Sequence, residues 1–146
     1  MSYVQELEQI MIEIPNKILS IKNVDNKPTP EKWSKKEILG HLCDSATMNH
    51  KRFIERIISK DEISLELYKQ NHWVEFNDYQ NSYSMEEVLI LWTALNKRIV
   101  NLLKNLSEDQ WNLQYSVNEE KKVTLDWLFG DYIDHMKHHF RQIFPS

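Results

Sequence analysis

Apolar residues recur at spacings of three and four along four long stretches of the chain, the period of an amphipathic helix rather than of a strand. The first stretch holds Val4, Leu7, Ile10, Met11, Ile14 and Ile18. Pro15 lies inside it and is expected to bend or interrupt the helix, because proline lacks the N–H that the preceding turn needs. Residues 24–30, with Pro28 and Pro30, then read as a connection. A second helix is signalled by Ser34 and Glu37, an S-x-x-E capping box, and Ile38, Leu42, Ala46, Phe53 and Ile57 carry it to about residue 59. Ser84 and Glu87 repeat the box for a third helix, whose stripe is Val88, Trp92, Leu95, Ile99, Leu102 and Leu106. Ser107 and Gln110 can cap one short turn near Trp111, and a fourth helix is expected from Thr124 to about Ile143.

This pattern predicts an all-α protein, an up-and-down-type four-helix bundle forming one domain over residues 1–146. One stretch does not fit tidy packing. Residues 60–82, between the second and third helices, read as a long loop rich in aromatics, with Tyr68, His72, Trp73, Phe76 and Tyr79. Connections of that length inside a compact domain are uncommon and often functional. This one is expected to fold down over the bundle, as an anchored crossover or as a substrate lid.

Composition supports the helical reading, since only two glycines and four prolines occur in 146 residues. A formal net charge of −4 argues against non-specific nucleic-acid binding, which needs clustered Lys and Arg. The single cysteine, Cys43, cannot form an intramolecular disulfide and suits a reducing compartment. The first residues lack a signal-peptide layout, and no apolar run approaches the roughly 20 residues needed to span a bilayer. A cytoplasmic protein without membrane or nucleic-acid partners is expected.

Candidate chemistry lies in the histidines: His41, His50, His72, His135, His138 and His139. Residues four apart share a helix face, so His135 and His139 can point at one metal ion. On the fourth helix His139 lies roughly 40° from the apolar centre and His135 roughly 80°, whereas His138 lies roughly 140° away and should be exposed. A third ligand must come from elsewhere, and periodicity leaves it open. His50 lies about 55° from the second helix's apolar centre and His41 about 125°. His41, however, stands beside Ser45 and Asn49 on a polar seam, and polar groups on a buried face need partners. Cys43 points away from His41 and reads as a small buried hydrophobe. Asp131, one turn before His135, is a candidate for fixing its tautomer, and Asp44 is similarly placed near His41.

The run Glu31-Lys32-Trp33-Ser34-Lys35-Lys36-Glu37-Ile38-Leu39-Gly40-His41-Leu42-Cys43-Asp44-Ser45 resembles the opening motif of the DinB-like proteins, which include YfiT-type enzymes. Trp73-Val74-Glu75 with Tyr79, then Leu91-Trp92 with Asn96, resembles their middle. The segment from Thr124-Leu125-Asp126-Trp127-Leu128 through Asp134-His135 to His139-Phe140-Arg141-Gln142-Ile143 resembles their last helix. The likeness runs from about residue 30 to the C-terminus. It implies a three-histidine site made of His41, His135 and His139, occupied by nickel or zinc. It also implies a homodimer and, as in several members, work with a low-molecular-weight thiol such as bacillithiol or mycothiol. Two functions follow as expectations. One is a metal-dependent enzyme that activates a thiol for S-transfer onto a small molecule, or activates water. The other is a non-catalytic metal- or ligand-binding module in a stress response.

Overall fold

Helix starts in this chain are set by one repeated device. Ser2 with Gln5, Ser34 with Glu37, Ser84 with Glu87 and Ser107 with Gln110 each form a reciprocal capping box, and the Thr124 hydroxyl accepts from the Trp127 amide. Each box satisfies two backbone donors that a helix start otherwise leaves free. The computed structural model describes residues 2–145. Its long helices are α1 (Tyr3–Leu19), α2 (Lys35–Ile58), α5 (Met85–Leu103) and α7 (Leu125–Ile143); between them lie β1 (Ile63–Ser64), α3 (Gln70–Asn77), α4 (Tyr79–Ser82), α6 (Glu108–Trp111), β2 (Gln114–Ser116) and β3 (Lys122–Thr124).

The four long helices make the expected bundle. α5 packs on both α1 and α2, and α7 closes the ring against the same two. The first and second long helices therefore sit diagonally across the bundle. Phe53, Trp92, Ile99, Leu125, Phe129 and Ile133 fill its interior. The expected interruption at Pro15 does not occur. Leu7, Ile14 and Ile18 bury one face of α1 on either side of the proline, and that packing outweighs one missing hydrogen bond.

Residues 60–82 are not a loop. β1 pairs in parallel with β2, Ile63 opposite Tyr115, and β2 pairs antiparallel with β3, Tyr115 opposite Val123. Strands of two and three residues carry too little alternation to register as a pattern. α3 and α4 then lie on α2, separated by Asp78 in the left-handed conformation (φ 52°, ψ 48°). They are held there through Asp44, whose Oδ1 accepts from the Tyr79 hydroxyl (2.6 Å) and from Asn77 Nδ2 (2.9 Å). The Tyr79 ring fits where Gly40 has no side chain, since a Cβ at Gly40 would lie 2.2 Å from Tyr79 Cδ2. The segment thus covers the N-terminal half of α2, as expected of it. Among the described residues no helix is long and apolar enough to cross a membrane.

Candidate metal centre

The cover explains the first feature of the site. Every residue of α2 from 36 to 46 is buried, including the polar side chains Lys36, Glu37, His41, Asp44 and Ser45. An apolar centre averaged over all of α2 therefore misjudges this half. His41, placed well off that centre by periodicity, is 0% exposed, while His50 is only half-buried and feels Arg98. His50 lies nine residues further on, about 13 Å along the helix. His135 and His139 on α7 are half-buried, and His138 is exposed, as the facing argument expects.

His41, His135 and His139 come together. His41 Nε2 lies 3.3 Å from His135 Nε2, and His139 Nε2 lies 3.1 Å from the same atom. The three rings stand nearly perpendicular in pairs, with centroids 4.5 to 5.1 Å apart. Trp33 lies against His41 at 4.8 Å between centroids and forms a wall of the cluster.

The donor set fits a metal. His139 Nδ1 lies 2.8 Å from Gln142 Oε1, and an amide oxygen can only accept, so the ring proton sits on Nδ1 and the Nε2 lone pair faces inward. Among the described residues the buried His41 Nδ1 has no hydrogen-bond partner, so none of them draws its ring away from the cluster. Burial, with the neighbouring His139 and His135, pushes the His41 pKa down to about 3. Burial and the nearby His139 and His138 bring His135 to about 4. His139 is lowered too, chiefly by burial. Three neutral imidazoles thus crowd their nitrogens into one spot. Tetrahedral zinc with Zn–N bonds of about 2.0–2.1 Å sets its nitrogens roughly 3.3 Å apart, close to the spacing here.

The carboxylates expected beside these rings are elsewhere. Asp131 makes no hydrogen bond to His135 among the described residues; it is exposed, and Lys121 and Arg52 are its cationic neighbours. Asp44 spends Oδ1 on Tyr79 and Asn77, and burial raises its pKa to about 6. Ser45 and Asn49 satisfy each other, Asn49 Nδ2 donating to the Ser45 carbonyl at 2.9 Å. The polar seam is therefore not what selects His41. Cys43 is buried, with Sγ against the Val88 carbonyl at 3.6 Å, and is no part of the cluster. Gln142, which orients His139, was missed in the sequence, although its place three residues on along the same helix face is the signal that could have found it. Trp33 gave no such signal.

The model of the DinB superfamily matches residues 19–143. The chain belongs to the DinB superfamily. Its curated relatives include proteins named "putative metal-dependent hydrolase". One from Oceanobacillus iheyensis is 26% identical over 143 residues, covering 97% of this chain and 81% of the relative. Another, from Bacillus cereus strain B4264, is 27% identical over 148 residues, covering 97% and 82%. Among solved structures, YfiT from Bacillus subtilis, described as "a probable metal-dependent hydrolase with an unusual four-helix bundle topology", is similar with a TM-score of 0.83. It is 22% identical, with 97% of this chain and 81% of that one covered. This DinB-superfamily protein thus shares the YfiT fold.

Proposed function

We propose that His41, His135 and His139 hold one divalent metal ion through their Nε2 atoms, and that the protein is a metal-dependent enzyme acting on a small molecule. The observation that carries this is the convergence of three imidazole nitrogens, 3.1 and 3.3 Å apart, with the His139 lone pair turned inward by Gln142. Imidazole donors suit zinc or nickel better than calcium or magnesium. Three protein ligands leave a position for substrate, as catalytic sites do. A bound ion supplies Lewis acidity and a nucleophile, water or thiol, made reactive near neutral pH.

The chain's own residues do the rest. Burial and the Trp33 wall fix His41, and Gln142 fixes His139. The names of the relatives favour hydrolysis. The family resemblance also admits a bacillithiol-type reaction, in which a thiolate forms a C–S bond as an electrophile's leaving group departs.

Elemental analysis of protein purified without an affinity tag tests the site. About one equivalent of zinc, nickel or a similar ion is expected, lost in His139→Ala and kept in His138→Ala. Absence of metal from the parent chain, or equal loss from both variants, would overturn the assignment. Loaded protein is then offered model esters and amides, or an aryl halide with a thiol. Turnover that a chelator abolishes identifies the enzyme and its nucleophile, whereas full loading with no turnover against either panel leaves a binding module.

A further inference from the structure

Beside the histidine cluster lies a cleft of about 710 Å³ whose walls include Trp33, His139 and Gln142. Lys22, Lys32 and Lys35 line it as well, and no acidic side chain does. In a chain of formal net charge −4, this local sign opposes that of the whole molecule. The three lysines also differ from their neighbours. Lys27, Lys36, Lys51, Lys122 and Lys137 each hold a carboxylate, whereas Lys22, Lys32 and Lys35 form no ion pair among the described residues.

Two acids of the flanking segments are engaged by other cations. Asp25 is held by Lys36 Nζ at 2.6 Å, and Glu37 by Lys27 Nζ at 2.9 Å. The frame around the cleft is also tied together. The Lys36 amide donates to the Val24 carbonyl (3.0 Å), joining the chain after α1 to the start of α2. Asn23, which lines the cleft, takes a left-handed backbone (φ 59°) that its short polar side chain tolerates. Lys35 is the first residue of α2, where the helix dipole adds further positive character. A concave surface lined by charge of one sign concentrates counter-ions.

We propose that this cleft is an anion subsite. It takes a small molecule bearing an oxyanion, a carboxylate or a phosphate, which Lys22, Lys32 and Lys35 hold while the rest of the molecule extends towards His139. Its place in catalysis rests on the metal-dependent reading above; anion binding itself does not require the ion.

The probes are succinate, its neutral dimethyl ester and inorganic phosphate, titrated calorimetrically at low ionic strength into chelated and into metal-loaded protein. Succinate or phosphate should bind the chelated protein, the tighter of the two naming the preferred headgroup, and the diester should bind at least about tenfold more weakly. The triple variant Lys22→Gln, Lys32→Gln, Lys35→Gln should weaken anion binding by about tenfold or more, with metal content and far-UV circular dichroism unchanged. Equal anion affinity in parent and triple variant, or a diester that binds as tightly as succinate, overturns the proposal. The two readings separate cleanly. Anion binding that depends on the lysines in a chain that takes up no metal keeps the subsite and removes the metal centre. Full metal uptake with lysine-independent anion binding does the reverse.

Discussion

At the scale of single residues, the site depends on where one proton sits. Gln142 Oε1 accepts from His139 Nδ1, and that bond alone turns the Nε2 lone pair towards His135 and His41. Without it the ring can take the other tautomer and rotate towards water, since His139 is only half-buried. Partners of this kind are commonly worth 10–100-fold in metal affinity. Gln142→Ala should therefore weaken metal binding by about 10–100-fold while leaving the stoichiometry at one, as read by competition with a chelating dye. Gln142→Glu keeps an acceptor and should restore most of the affinity. If the alanine variant binds metal as tightly as the parent chain, the tautomer is set some other way.

At the scale of elements, the cover formed by α3 and α4 is fixed to α2 at two points, Asp44 and Gly40. Gly40→Ala would push a methyl group into the Tyr79 ring, which is itself held through its hydroxyl. Relief requires moving α4 or the backbone of α2, at about 1–3 kcal/mol for an overpacked position. Urea unfolding should show that loss. Tyr79→Ala in the Gly40→Ala background should then cost less than it does alone, because the clash has gone; simple additivity would count against this contact. These same elements mark the limit of the sequence. The four long helices and the Ser34, Ser84 and Thr124 caps were legible, because many turns repeat one period and the cap residues sit beside it. The pairing of Ile63 with Tyr115 was not, because two- and three-residue strands have no period and their register is set by contacts 52 positions apart. The inward turn of His135 and His139 followed from helical geometry alone. His41 did not, because its burial is imposed by α3 and α4; the family motif and the polar seam pointed to it, and the seam turns out to satisfy itself.

At the scale of the whole molecule, these buried groups make stability depend on pH with opposing signs. In the metal-free protein His41 and His135 take protons only near pH 3 and 4, against 6.5 for an ordinary solvated histidine. As pH falls from 6.5 towards 4, the unfolded chain therefore binds protons that the folded chain refuses, and stability is lost. Asp44 acts the other way. Its folded pKa of about 6 exceeds the ordinary aspartate value of 3.8, so in that window the folded chain holds the extra proton and gains stability as pH falls. Two histidines against one aspartate leave a net uptake of about one proton on unfolding between pH 6 and 4, and His139 adds to it. The urea midpoint of chelated protein should therefore drop between pH 7 and 5. Asp44→Asn removes the opposing contribution and should steepen the drop, whereas His41→Gln should flatten it. Zinc added at pH 7 should raise the midpoint by mass action on the native state and lose that effect towards pH 5, where protons compete for the same nitrogens. A metal-free midpoint that stays level or rises on acidification would show that the histidines are not held neutral by the fold.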